Sequence, residues 1–179
     1  MIIAIGCAGG RIADKLGLPF VAINTDWCEL DRISASMKLR IGSGHGAGDP
    51  MTGKQAAEKA AKEIAKLCTE LVVLVAGLGR GTGTGATHVV ARIARKQGCD
   101  VSVVVIWPFY FEGRERLQRA KRALSVLKKY PLTTVFLPEL LPLPQGMRIQ
   151  DAFRMSNERA VKAVMDTLHG HGRQQFSAR

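Results

Sequence analysis

Aromatic residues are scarce in this chain, and acidic residues are outnumbered by basic ones. Phe, Trp and Tyr make up 6% of the 179 residues, and none interleaves with the basic residues of the most positive segment, 114–129. Recognition of nucleic acid bases by stacking is therefore unsupported. The net charge of +11 still attracts acidic partners, nucleic acid or an acidic lipid surface. A solvated basic helix face is the simpler explanation of segment 114–129.

Paired cysteines and long hydrophobic runs are also missing. Cys7, Cys28, Cys68 and Cys99 form no Cys-x-x-Cys pair, which favours reduced thiols over a disulfide framework or a metal site. No apolar run approaches the roughly 20 residues of a membrane span. The first five residues lack the basic start of a signal peptide. We therefore expect a cytoplasmic chain with no membrane span and no metal-binding side chains.

What the chain does contain is a regular alternation of apolar runs and helical patterns. This alternation predicts an α/β fold, a Rossmann-like parallel sheet of about six strands flanked by helices. Strands are predicted at 2–5, 20–23, 38–41, 71–75, 101–107 and 133–137. Helices are predicted at 11–16, 52–67, 86–96, 114–129 and 150–168. Three prolines in 138–146 predict a loop, and we expect one domain over 1–169 followed by a polar, flexible tail over 170–179.

The most informative segment is 76–85, which reads AGLGRGTGTG. It follows an apolar strand and opens into a helical pattern from Ala86. Five glycines let backbone N–H groups turn toward an anion, and the helix start adds donors and a positive dipole end. Thr82 and Thr84 add hydroxyl donors. The segment is interpreted as a nucleotide phosphate loop, although not of the Walker type, because no Gly-Lys-Ser/Thr follows.

This segment resembles the GGGTGTG signature loop of the tubulin and FtsZ superfamily, and further motifs occur in the order of that family. GCAGGRI at 6–12 is similar to the first glycine loop of the archaeal CetZ group. The other matches are AINTD at 22–26, GHGAG at 44–48, PFYFEGR at 108–114, and DAF at 151–153 with Asn157. The resemblance covers about residues 1–169. It implies binding of GTP or GDP, with Mg²⁺ accompanying the triphosphate, and a role in cell division or another cytoskeletal process.

Loops at the carboxyl ends of parallel strands gather at one edge of the sheet, so three glycine loops can surround a polyphosphate. We expect Gly83 and Gly85 to be glycines for this reason rather than for packing. The resemblance implies that Phe153 covers the guanine, that Asn157 and Glu158 pair with its edge, and that Glu112 accepts a ribose hydroxyl beside Arg116. The predicted nucleotide-binding residues are Gly6, Cys7, Ala8, Gly9, Gly10, Asn24, Asp26, Gly46, Ala47, Gly48, Gly77, Leu78, Gly79, Arg80, Gly81, Thr82, Gly83, Thr84, Gly85, Pro108, Glu112, Arg116, Phe153, Asn157 and Glu158.

Some of these residues have a second interpretation. Phe153 is equally compatible with core packing, and Asn24 and Asp26 with capping of a turn. Arg80 stands where the family normally has glycine, and its guanidinium can reach a phosphate or point outward at a partner.

One feature of the family is missing from this chain. Family members carry a second domain after the central helix, reached through a loop with an acidic NxDxxD motif, and no such motif occurs in the 179 residues. Hydrolysis requires a group that orients water, so we predict no catalytic residue here. The expected protein is a truncated GTP-binding switch or filament regulator with weak turnover. Its alternatives are a GTPase completed by a second copy or a full-length FtsZ-like partner, a nucleic-acid binder, and a dinucleotide-binding module.

Overall fold

The computed structural model of this chain describes residues 1–135 and 145–176. Its strands are β1 (Ile2–Ile5), β2 (Val21–Asp26), β3 (Met37–Gly44), β4 (Leu71–Gly77), β5 (Asp100–Ile106) and β6 (Leu132–Val135). They form one sheet in the order β3-β2-β1-β4-β5-β6, and all five neighbouring pairs are parallel. This order is that of a doubly wound fold. The predicted fold class is confirmed, and β3 and β6 are the edge strands.

Seven α-helices connect or follow the strands within the described residues. They are α1 (Gly6–Ala13), α2 (Trp27–Asp31), α3 (Pro50–Lys59), α4 (Ala61–Lys66), α5 (Gly81–Lys96), α6 (Arg114–Leu127) and α7 (Ile149–Phe176). Short 3-10 turns lie at Asp14–Leu16 and Tyr110–Glu112. None of the helices in the described part of the chain is long and apolar enough to cross a membrane.

The sheet is covered on both faces because its side chains alternate between two hydrophobic cores. Ile3 and Ile5 face the core that includes buried residues of α3, α4, α5 and α6. Ile2 and Ala4 face the other core, to which α1, α2 and α7 contribute. Strands that are buried on both faces read as continuous apolar runs, which is why they were recognisable in the sequence.

Two helices start earlier than predicted, inside their glycine segments. α1 begins at Gly6 rather than Arg11, and α5 begins at Gly81 rather than Ala86. Glycine costs a helix about 1 kcal/mol relative to alanine, but close packing requires it here. An ideal Cβ on Gly9 would lie 2.3 Å from the carbonyl oxygen of Val75. The predicted loops 6–10 and 81–85 are therefore helical.

Other boundaries also differ from the prediction. The single helix predicted over 52–67 begins at Pro50 and is divided at Ala60 into α3 and α4. The short helix α2 was not predicted. α7 continues to Phe176, so the first residues of the predicted tail 170–179 are helical, because two glycines near a helix end do not outweigh its propagation. Residues 136–137 of the predicted strand, 138–144 of the predicted loop and 177–179 lie outside the described residues.

Candidate functional site

The starts of α1 and α5 lie side by side at the carboxyl edge of the sheet. They follow β1 and β4, which are paired neighbours. Gly6 has a φ of +72°, and an ideal Cβ on it would lie 3.1 Å from the backbone nitrogen of Gly83. The first N–H groups of a helix lack partners within the helix, and its dipole end is positive. Two such ends in contact form a surface that favours an anion.

These two helix starts differ from those of α2 and α3 on the same edge, because their own side chains do not cap them. In α2, Asp26 Oδ1 accepts from Glu29 N at 3.0 Å. In α3, Asp49 Oδ1 accepts from Met51 N at 2.7 Å. Hydrogen bonds from Thr52 hold the pKa of Asp49 below its usual range. The first turns of α1 and α5, both fully described, contain neither a capping side chain nor an acidic residue. Their amide donors are left for another acceptor.

Two threonine hydroxyls predicted to contact phosphate are also bonded within the protein. The hydroxyl oxygens of Thr25 and Thr82 lie 2.5 Å apart and share a hydrogen bond. Thr84 Oγ1 accepts from Gly79 N at 2.8 Å, which leaves the Thr84 hydroxyl proton free to donate. Thr25 was not among the predicted site residues, although its place between two of them in AINTD was a usable signal.

Asn24 and Asp26 have the capping and turn-forming contacts that their second interpretation described. Asn24 Nδ2 donates to Cys7 Sγ at 3.5 Å, and Asn24 Oδ1 accepts from Asp26 N at 3.2 Å. The remaining carboxylate oxygen of Asp26 faces the next glycine loop, where it lies 3.8 Å from an ideal Cβ on Gly46. A carboxylate oxygen at this edge suits a hard cation such as Mg²⁺, which prefers oxygen ligands.

The loop containing Gly46, Ala47 and Gly48 closes a third side of the same edge. Gly46 N donates to the carbonyl oxygen of Thr25 at 3.0 Å, and Arg119 of α6 reaches the carbonyl oxygen of Gly48 at 3.3 Å. Gly48 is exposed, and an ideal Cβ on it would meet no atom within 4 Å. The three predicted glycine segments therefore converge, as expected.

Within segment 77–85, several glycines are required for close backbone packing, a role that was not expected from the sequence. An ideal Cβ on Gly83 would lie 2.2 Å from the carbonyl oxygen of Gly77, and one on Gly85 would lie 1.9 Å from that of Pro50. The expectation that Gly83 and Gly85 are not needed for packing was wrong, because two backbones approach there. An ideal Cβ on Gly77 would lie 2.6 Å from the methyl carbon of Ala8, so glycine at position 77 leaves room for that methyl group.

Leu78 and Arg80, in the same segment, face opposite environments. The Leu78 side chain is buried, and its N–H donates to Ile106 O at 2.9 Å, so neither group faces the edge. Arg80 is exposed at the N-cap position of α5. Within the described residues its guanidinium has no hydrogen-bond or ion-pair partner, so both interpretations of Arg80 remain.

The PFYFEGR segment lies beside the loop that follows β4. An ideal Cβ on Gly79 would lie 3.1 Å from the Cβ of Arg116 and 3.3 Å from Pro108 Cγ. Glu112 Oε1 accepts from Phe109 N at 2.9 Å, and its Oε2 accepts from Arg116 Nη1 at 2.5 Å. The carboxylate thus holds its own turn and the start of α6. A ribose hydroxyl would have to share an oxygen that already accepts one hydrogen bond.

An aromatic cluster lies where the sequence predicted only Phe153. Phe153 meets Phe109 and Phe111 edge-on, with ring centroids 5.3 and 5.9 Å away, yet it remains 40% exposed. Asn157 lies one turn later on the same helix face, whereas Glu158 is exposed and off that face. The Phe-x-Phe spacing at 109–111 was the signal for this cluster.

Comparison with known protein families assigns most of this chain to one family. The family model for the Tubulin/FtsZ family, GTPase domain, matches residues 1–139. This chain belongs to the Tubulin/FtsZ family. The recognition made from the ordered glycine motifs is therefore confirmed, together with the fold class.

Individual members of the Tubulin/FtsZ family agree with the assignment. The chain is 36% identical over 178 residues to cell division protein FtsZ 1 of Pyrococcus furiosus, covering 91% of this chain and 48% of that protein. A solved empty FtsZ dimer of M. jannaschii has a TM-score of 0.84 at 34% identity, with 91% and 52% covered. CetZ2 of Haloferax volcanii, solved as a GTPγS-bound protofilament, has a TM-score of 0.75 at 26% identity, with 91% and 56% covered. The chain spans about half the length of the curated relatives it matches.

Proposed function

We propose that this chain binds a guanine nucleotide at the carboxyl edge of its sheet, with the phosphates at the starts of α1 and α5. One observation carries the proposal. These two helix starts touch each other and lack capping side chains, whereas their neighbours α2 and α3 are capped by aspartates. The start of α6 on this edge also lacks a capping side chain, but its first turn carries the acidic Glu115. The starts of α1 and α5, which touch and have neither a cap nor an acidic residue, are the arrangement expected for an anion that binds between them.

The other predicted residues would surround the rest of the nucleotide. Backbone N–H groups in segments 6–8, 47–48 and 80–83, which the helices and turns leave unpaired, would donate to the phosphate oxygens. Phe153 and Asn157, on one face of α7, would hold the base, and Glu112 with Arg116 would lie toward the ribose. The free carboxylate oxygen of Asp26 would hold Mg²⁺, directly or through water. The ion would screen the phosphate charges and support a preference for the triphosphate form.

Hydrolysis is proposed to need a water-positioning group that these 179 residues do not supply. Backbone donors and a metal ion bind and orient a triphosphate, but an attacking water must also be positioned. The 179 residues contain no NxDxxD pattern to do so. We propose that a relative carrying that acidic loop, or another carboxylate at a contact with a second copy of this protein, completes the site, so that the protein acts as a nucleotide switch or regulates a filament.

Nucleotide titration tests the binding step. A fluorescent GTP analogue should bind, and GTP should displace it at least about tenfold better than ATP does. Equal displacement by GTP and ATP, or no binding at all, would contradict the proposal.

Phosphate release tests the second step. The protein alone should release little phosphate from GTP, and a full-length FtsZ should raise the rate, unless the carboxylates of its acidic loop are replaced by amides. A rate per molecule that rises with the concentration of this protein alone would favour completion by a second copy. A high rate independent of concentration would refute the need for any partner.

A further inference from the structure

A groove lies between α4 and α5, far from the proposed nucleotide site. It encloses about 510 Å³ between the later turns of the two helices. Along the axis of α5, at 1.5 Å per residue, Gly81 lies about 12 Å from Val89, the first residue of α5 that lines the groove, and about 22 Å from Lys96. The nucleotide site and the groove can therefore be tested independently.

The floor of the groove is apolar, and its rim is positive. Two alanines on α4 and two buried residues on α5 form the floor: Ala61, Ala65, Val89 and Ile93. The rim is formed by Lys62 on the α4 side and by Arg92 and Lys96 on the α5 side. The small side chains of Ala61 and Ala65 on one wall keep the groove open, and no residue in the described part of the chain fills it.

The positive charge of the rim is only partly neutralised. Glu58 lies 3.3 Å from Arg92, in an exposed ion pair. Lys62 and Lys96 have no ion-pair or hydrogen-bond partner within the part of the chain that the structure describes. Lys54 and Arg92 lie near His88, whose pKa is lowered mainly by burial and further by these two positive charges. An anionic group entering the groove would meet unpaired cations on both walls.

We propose that this groove docks an acidic, amphipathic protein segment, whose apolar side chains fill the floor while its carboxylates pair with Lys62, Arg92 and Lys96. The combination of an apolar floor with a positive rim favours an acidic amphipathic segment over other anions. The phosphates of a nucleic acid would gain no favourable contact from an apolar floor. Tyr130, which lies beside Arg95 and Lys129, is only 7% exposed and is therefore unavailable for stacking on a base. A lipid surface would meet the cations but could not reach a recessed apolar floor.

The test uses a labelled peptide of about 16 residues, roughly four helical turns, with leucines at helical spacing and glutamates elsewhere. Its control peptide has the same composition in scrambled order. The paired variant Lys62→Glu with Lys96→Glu should weaken binding of the patterned peptide by about tenfold or more. The matched control is Lys15→Glu with Lys162→Glu, which changes the net charge equally on the other face of the sheet and should leave affinity within about twofold. Thermal unfolding checks that every variant is folded.

A second variant separates shape from charge. Ala65→Leu leaves the charge unchanged but fills part of the groove, so the patterned peptide should bind about tenfold more weakly, while GTP binding is unaffected. Equal binding of patterned and scrambled peptides would overturn the proposal. So would an unchanged affinity in Ala65→Leu, or the absence of any peptide binding. If the lysine reversals weaken binding of duplex DNA or phosphatidylglycerol vesicles but not of the peptide, the groove is a general anion surface and the proposal fails.

Discussion

The glycines at the start of α5 and the glycines of the loop after β3 share a residue type but not a physical role. At the start of α5, added Cβ atoms on Gly81, Gly83 and Gly85 would lie 1.8, 2.2 and 1.9 Å from backbone carbonyl oxygens. On Gly48 an added Cβ would meet nothing within 4 Å. The first group lets backbones of this chain touch each other. Gly48 leaves space open at the candidate site.

Gly85→Ala should have the largest effect, and on stability. Alanine adds about 1 kcal/mol of helix propensity, but overpacking against a backbone that cannot swing away costs about 3 kcal/mol or more. The clash involves Pro50 O and Lys54 N of α3. The free energy of unfolding should therefore fall by about 2 kcal/mol or more. Denaturant titration measures it, and an unchanged midpoint would mean that α3 and α5 are farther apart than described.

Gly48→Ala should have an intermediate effect, and on binding rather than stability. Its methyl group finds open space, so the free energy of unfolding should change by less than about 0.5 kcal/mol. If phosphate approaches this loop, the methyl group occupies part of its path and GTP affinity should fall about tenfold. Titration with GTP, together with thermal unfolding, separates the two quantities. Unchanged affinity would remove this loop from the proposed site.

Gly170→Ala should have the smallest effect and the opposite sign. Gly170 lies within α7, and an ideal Cβ on it would meet nothing within 4 Å. Without a clash, helix propensity alone should raise the free energy of unfolding by about 0.5 kcal/mol, less than the full interior value because the helix end is near. Circular dichroism during thermal unfolding measures this gain. A loss or no change would indicate that Gly170 is not held in a helix and would support the predicted tail over 170–179.

The fold was predictable from this sequence because its signals are local. Strands buried on both faces read as apolar runs, and glycine segments follow β1 and β4 directly. The helix starts were misplaced because the cost of glycine in a helix is local, whereas the compensating contact, such as Gly85 against Pro50, joins distant segments. The hydrogen bond between the hydroxyls of Thr25 and Thr82 was not predicted for the same reason, because the two residues are 57 positions apart in the sequence.

The edge strand β3 restricts how copies of this protein can meet. An uncovered parallel edge invites a foreign strand to extend the sheet. Here Lys38 and Arg40 stand on that strand, and both reach back to Asp31, with Arg40 also lying 5.6 Å from the Trp27 ring. A strand from another molecule that paired with β3 would have to displace these charged side chains. Growth by continuous sheet extension at β3 is thereby disfavoured.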